Sequence, residues 1–237
     1  EFSARGALPG VAFAGERCRG VVEGFVDRVD VWQSGGRPYV RVVDYKTGKK
    51  SFDYTNVLHG RGLQMLLYLF ALVRQGGHLL HGEPLPAGVL YFPARIERVS
   101  VRDRLAQAEI EKERRKQLRR SGVLLNSDPV LEAMEPCGGS PRFLPYTLDK
   151  EGRKTGDLAS FVQLAQLERF VFRTVAALGD ELADGCIDPD PCIRDAKDSA
   201  CAFCPYSEIC AGHEQPRWLK KITAEEFWQT LERREHG

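Results

Sequence analysis

Residues 21–46 read VVEGFVDRVDVWQSGGRPYVRVVDYK, two β-branched runs on either side of Ser34-Gly35-Gly36. The pattern predicts a β-hairpin, because a Gly-Gly pair supplies the positive φ that a two-residue turn requires. Cross-strand partners then sum to 71, which sets Asp27 directly opposite Asp44. Alternation along each strand groups Phe25, Asp27, Val29 and Val31 with Val40, Val42, Asp44 and Lys46. That face is apolar apart from two carboxylates and one ammonium.

Opposed like charges destabilise a hairpin, and a carboxylate on a buried face is costly until something neutralises it. A cation between Asp27 and Asp44 would do so. Two facing carboxylates with a lysine two residues past one of them form an oxygen-ligand site for Mg²⁺ or Mn²⁺, with an ammonium nearby to align a hydrolytic water. The chemistry this suggests is metal-assisted phosphodiester hydrolysis. The alternative is an ordinary amphipathic hairpin in which Asp44 and Lys46 form a surface pair. A register slip of one residue would scatter the three side chains, and Pro38 allows a bulge near the turn. Asp30 has the opposite parity and is predicted to face away, paired with Arg28 or Arg41.

Beyond Lys46, Thr47-Gly48-Lys49-Lys50 leaves the strand as a basic loop in which Lys49 and Lys50 could touch a phosphate. After His59 and Arg61 a helix is predicted over Gly62–Arg74, apolar almost all round and hence buried, with Gly76-Gly77 as its end. Gln64 and Tyr68 lie at i and i+4, so they share one face of it.

Gly24-Phe-Val-Asp27-Arg28-Val-Asp30, then Val43-Asp44-Tyr45-Lys46-Thr47-Gly48, then Gly62-Leu-Gln64-Met-Leu-Leu-Tyr68 resemble the nuclease motifs of the PD-(D/E)xK superfamily in its RecB-like branch. The resemblance implies an α/β fold with a restriction-endonuclease-like core, a small mixed β-sheet flanked by helices. It also implies that Asp27, Asp44 and the backbone carbonyl of Tyr45 hold the metal, that Lys46 orients the attacking water, and that Gln64 and Tyr68 position the lysine or the scissile strand. Members of this branch usually add a His or Glu from a helix ahead of the hairpin. Residues 1–20 show no such helix, so that ligand is unassigned and the chain reads as a piece cut from something longer.

Further strands are expected at Val89–Pro93 and Arg95–Val101, and a charged helix at Asp103–Arg120 with Glu111 and Arg115 at i,i+4. That helix is either simply solvated or laid along a DNA backbone through its arginines. Gly122–Glu135 reads as a turn and a short amphipathic segment, Phe143–Gly156 as an exposed hairpin, and Ser160–Asp184 as a long core helix closed by Gly185.

Cys201-Ala-Phe-Cys204-Pro-Tyr-Ser-Glu-Ile-Cys210 packs three of the seven cysteines into ten residues. Such a cluster binds a metal or an iron–sulfur centre more readily than it forms disulfides in a reducing compartment, with zinc as the alternative. C-x2-C-x5-C after a nuclease core resembles the iron–sulfur nucleases of the AddB and Cas4 type, which implies a 4Fe–4S cluster whose fourth thiolate comes from upstream. Cys18 is the upstream candidate, and Cys186 and Cys192 could be recruited. The expected division is residues 1–185 as the nuclease domain and 186–237 as the cysteine-rich tail.

With 34 basic and 33 acidic residues, net charge does not argue for nucleic acid, so any DNA groove must come from local arrangement. No apolar run is long enough to span a bilayer and no signal peptide is seen, so the expectation is a cytoplasmic address and no membrane partner. No Walker A sequence is present, and a helicase motor would have to lie elsewhere. The order of motifs resembles the nuclease domain of the AddB-type helicase–nuclease proteins. This implies an exonuclease acting on a DNA single strand at a processed duplex end, with a helicase–nuclease partner subunit, in double-strand break repair. The competing classes are a Cas4-like exonuclease, a catalytically silent DNA-binding module, and a structural iron–sulfur or zinc domain.

Overall fold

The computed structural model describes residues 6, 8–48, 50–98, 107–195, 198–202, 204–210 and 216–236. In chain order its elements are β1 (Val11–Ala14), β2 (Arg19–Val22), β3 (Arg28–Ser34), β4 (Arg37–Lys46), α1 (Tyr54–Leu58), α2 (Gln64–Gln75), α3 (Gly77–Leu80), β5 (Leu85–Pro93) and α4 (Gln107–Gln117). They continue with β6 (Ser121–Leu125), α5 (Asp128–Met134), β7 (Tyr146–Leu148), β8 (Lys154–Gly156), β9 (Leu158–Ala159), α6 (Phe161–Ala183), β10 (Cys192–Ile193), β11 (Arg217–Trp218) and α7 (Ala224–His236). By contacts the chain forms two compact units. One comprises Glu1–Ala12, Val21–Phe52 and Gly62–Phe172; the other comprises Phe13–Gly20, Asp53–Arg61 and Arg173–Gly237.

The first unit is built on a mixed sheet in the order β3-β4-β5-β6-β9. β3 and β4 are antiparallel in the register expected, Arg28 opposite Val43 through Ser34 opposite Arg37, and Gly35 and Gly36 turn between them at φ 58° and 74°. β4 and β5 are parallel, so the chain must cross over between them, and α2 packs on both strands along that route. β4 is an interior strand, between β3 and β5: Val40, Val42 and Val43 are fully buried, which covers both of its faces. Each such side chain contributes about 1.5–3 kcal/mol to folding. Leu90 and Phe92 of β5 pack with Leu124, Leu131, Met134, Leu144 and Tyr146, so α5 and β7 cover one face of the sheet and α2 is left the other.

Several expectations change. Phe25 and Val31 are 72% and 42% exposed, because β3 is the edge strand and its half of the predicted apolar face is not covered. The hairpin has no bulge at Pro38; the register shift falls between Val40 and Arg41, against β5. α2 does end where expected, at Gln75 with Gly76 as its C-cap, but Gly76 is right-handed at φ −77°, the short α3 follows at once, and the left-handed reversal comes at His81, φ 55°. Residues 94–98 are not a strand, and the remainder of that predicted strand lies outside the described residues, as do Lys49 and the start of the charged helix.

The stretch read as a turn at Gly122 is a buried strand, β6, antiparallel to β5. A Cβ at Gly122 would lie 1.9 Å from the Val89 carbonyl oxygen, so glycine here permits close strand approach. The hairpin β7–β8 forms, but Leu144 and Tyr146 are buried in the core. α6 matches the long predicted helix. Ser160 and Gln163 cap it reciprocally, Gln163 N–H donating to Ser160 Oγ at 3.1 Å and Ser160 N–H to Gln163 Oε1 at 2.8 Å, and Gly185 follows it at φ 72°.

The second unit contains α1, the second half of α6, β10, β11 and α7. Tyr54, Phe227 and Trp228 form its aromatic core, with ring centroids 5.0–6.1 Å apart. Arg194 pairs with Asp53 and Asp198, and Arg61 reaches Asp198 at 2.6 Å.

Candidate active site

Asp44 projects near the end of β4, on the face opposite to Tyr45. Its carboxylate is largely enclosed, with a side chain 16% exposed, and Lys46 Nζ stands 2.5 Å from Oδ2. The same Oδ2 is buried and, among the described residues, meets no donor beyond that ion pair. A carboxylate oxygen met by one lysine alone still has lone pairs that a cation can take. Its rung partner on β5 is Tyr91, whose hydroxyl pKa is raised, first by burial and then by the Asp44 charge.

Asp27 lies one residue before the first ladder pair of β3, where the hairpin register continues to Asp44. Its Oδ2 accepts the Tyr45 N–H at 3.3 Å, which draws the exposed carboxylate to the end of β4. The two carboxylates, one of them with a buried oxygen, and the backbone carbonyl of Tyr45 are the kind of oxygen donors a hard divalent cation takes. An ammonium beside one of those carboxylates adds a group able to hold a water or a phosphate oxygen.

Gln64 and Tyr68 meet on α2, Gln64 Nε2 donating to Tyr68 Oη at 2.9 Å. Gly24, in the segment leading to Asp27, explains how that helix approaches: a Cβ there would be 2.6 Å from Tyr68 Oη and 2.7 Å from its Cε1. Its importance was not legible as chemistry, only as a glycine standing three residues ahead of an aspartate. Tyr91 was likewise missed, since its pairing with Asp44 depends on the parallel register.

Asp30 faces the other way, as its parity requires. It accepts from Arg28 Nε at 2.6 Å and from the Arg41 guanidinium, while Arg28 also donates to Tyr45 Oη at 2.9 Å. Burial raises the Asp30 pKa, but Arg41 and Arg28 outweigh it and hold the carboxyl below its ordinary range.

Cys201, Cys204 and Cys210 are half-buried, in a run of turns closed by Cys204 N–H to the Cys201 carbonyl at 3.2 Å and Cys210 N–H to the Tyr206 carbonyl at 3.0 Å. Among the described residues no three His, Cys, Asp or Glu side chains stand as a metal-holding group, so the three thiols are not assembled around a cluster. Cys18 belongs to the same compact unit, its N–H donating to Asp180 Oδ1 at 2.9 Å. No described helix is long and apolar enough to cross a membrane.

The chain matches the family model of the PD-(D/E)XK nuclease superfamily over residues 5–211. It is 36% identical over 214 residues to the B subunit of the ATP-dependent helicase/deoxyribonuclease of Moorella thermoacetica, an alignment covering 89% of this chain and 18% of the relative. It is 30% identical over 226 residues to the protein of the same name from Clostridium perfringens (91% and 19%) and 30% over 197 residues to that of Oceanobacillus iheyensis (80% and 17%). The chain thus spans less than a fifth of the length of these curated relatives. Its mixed sheet flanked by helices is the restriction-endonuclease-like arrangement. Since the matched segment includes both strands of the acidic hairpin and the helix of Gln64 and Tyr68, the chain belongs to the PD-(D/E)XK nuclease superfamily.

Proposed function

We propose that this chain is a Mg²⁺-dependent deoxyribonuclease, the nuclease part of a helicase–nuclease protein that trims a DNA single strand as an exonuclease at a processed duplex end. The carrying observation is the buried Asp44 oxygen with the Lys46 ammonium against it, on the hairpin whose other strand ties Asp27 to the Tyr45 amide. Nucleases of this superfamily generally use divalent metal ions. Here Asp27, Asp44 and the Tyr45 carbonyl would hold one, and when bound it supplies Lewis acidity and a water of lowered pKa. Lys46 would orient the attacking water from the Asp44 side and offset charge on the phosphate oxygens. Gln64 and Tyr68, locked to each other, position the strand or the lysine.

The relatives' name supports a motor elsewhere in the whole protein and a helicase–nuclease partner subunit; double-strand break repair as the setting and the cytoplasm as its place belong to the same proposal. The cysteine-rich segment is assigned a 4Fe–4S cluster on Cys201, Cys204 and Cys210, supported by their spacing and by Cys18, Cys186 and Cys192 lying in the same compact unit. These thiols are not gathered in this structure, and cleavage as described runs on the hairpin residues without them.

The test is to incubate the purified chain with labelled single-stranded DNA in Mg²⁺, with EDTA as the control. Shortening of the strand in Mg²⁺ alone, abolished in Asp27→Ala and Asp44→Ala, is expected. Strand binding without cleavage in any divalent metal would instead make the chain a gripping module.

A further inference from the structure

Past Lys46, at the ends of β4 and β5, lies a cavity of about 290 Å³ with a basic wall: Lys46, Lys50, Arg95, Lys116 and Arg119 line it beside one carboxylate, Glu97. Some of these cations are committed. Lys46 stands against Asp44, and Lys116 is 2.5 Å from Glu113. Arg119 gives one nitrogen to the Tyr146 carbonyl at 3.0 Å and keeps its other donors. Lys50 and Arg95, both exposed, have no carboxylate partner among the described residues.

A concave site with excess positive charge concentrates anions, because its low-dielectric walls focus the field. The size narrows the choice. The volume is at the lower end of ligand-sized cavities, roughly 300–1,000 Å³, which suits one nucleotide unit and is too small for a duplex. Tyr91 and Phe92 contribute to the lining, but Tyr91 is buried and the Phe92 ring carries Arg120 at 4.0 Å, so the charged rim is what the cavity offers a strand. Location narrows it further. Lys46 belongs to the cavity wall and also touches Asp44, so the cavity adjoins the acidic hairpin through a shared residue.

We propose that this cavity is the subsite for the nucleotide adjoining the bond that is cut, with Lys50 and Arg95 as its phosphate contacts. The assignment rests on the nuclease reading and extends it. Lys50 and Arg95 act by binding, not in the chemical step.

The experiment compares the whole chain with its Lys50→Ala/Arg95→Ala double variant, after equal melting temperatures show that both fold; if the pair lowers the melting temperature, Lys50→Gln alone is carried through the same measurements. Binding of a fluorescent single-stranded oligonucleotide is followed by anisotropy in EDTA across a range of NaCl, and cleavage is measured in Mg²⁺. The double variant is expected to bind about tenfold more weakly, as befits two lost charged contacts. Its plot of log affinity against log salt should be shallower by about 1.4, from roughly 0.7 per phosphate contact on single strands. KM should rise with kcat held within about twofold, the signature of lost uniform binding. A methylphosphonate at the linkage next to the cut should weaken wild-type binding and leave the double variant unmoved. A mononucleotide competitor that displaces the oligonucleotide from wild type at equal molar concentration would mark the cavity as a free-nucleotide site and overturn the proposal.

Unchanged affinity and salt slope, with normal cleavage, would also overturn the subsite and leave the nuclease reading standing. If wild type does not cleave, yet the double variant loses binding as described, the nuclease reading falls and the phosphate contacts remain.

Discussion

One hairpin carries two acidic sites of opposite parity, and they are satisfied to very different degrees. On one face Asp30 is held by two arginines, Arg28 and Arg41, in hydrogen-bonded pairs. On the other Asp44 has a single lysine against its buried oxygen and no second donor there. The residue types are nearly the same and the distance along the chain is short. What separates the two carboxylates is the balance of donors around each. A fully paired carboxylate fixes a fold; an underpaired one has ligand positions to offer.

The contrast is sharpest in a pair of substitutions. Asp44→Asn should reduce cleavage by about a thousandfold or more while leaving stability unchanged or slightly higher, because it removes a buried charge that the protein alone does not fully balance. Asp30→Asn should do the reverse: cleavage within a few-fold of wild type, and a loss of about 1–2 kcal/mol by chemical denaturation. That loss is smaller than the usual 3–5 for breaking a buried pair, since the Asp30 side chain is 25% exposed and partly screened. Equal stability losses in the two variants would erase the distinction between the faces.

Next in size is Gly24→Ala. Its new methyl must displace the Tyr68 ring, so cleavage should fall by about tenfold or more, with part recovered in the Gly24→Ala/Tyr68→Leu double variant, in which both Cε1 and Oη are gone. No recovery would mean that the glycine serves a different neighbour. Tyr68→Phe alone loses only the bond to Gln64 and should cost about 0.5–1.5 kcal/mol at most in transition-state binding, seen in kcat/KM.

The smallest effect is on acid stability. Asp30 has a folded pKa below its unfolded value, so it binds fewer protons folded than unfolded at moderately acid pH. Its contribution is complete above the unfolded pKa and is lost as pH falls through the folded one, a window beginning near pH 4 and running downward. Thermal melts between pH 7 and pH 3 should show a steeper acid limb for wild type than for Asp30→Asn. Parallel limbs would remove Asp30 from the balance.

Much of this was legible because it is local. The Gly35-Gly36 turn fixed the register, and register with parity separated Asp27 and Asp44 from Asp30 before any tertiary contact was known. What was not legible depends on neighbours distant in sequence. β6 looked like a turn because it opens on Gly122, and only the Val89 carbonyl packed against it explains that glycine. The exposure of Phe25 follows from β3 being an edge strand, which no alternation reveals. Residues 95–98 carry strand-like alternation and pair with nothing among the described strands. Tyr91 and the basic cavity arise where β4, β5 and α4 converge, so their members are spread from Lys46 to Arg119. The thiol spacing was plain in the sequence, whereas the gathering of the sulfurs is not present in the fold.

Tyr45 joins the two faces through a single residue. Its amide is fastened to Asp27, while its phenol is fastened to Arg28 and through it to Asp30. Loosening the arginine side would therefore free the phenol alone, because the Tyr45 backbone stays laddered to β5 beside Phe92. A change on one face of the hairpin is stopped at this rung instead of being passed to the other.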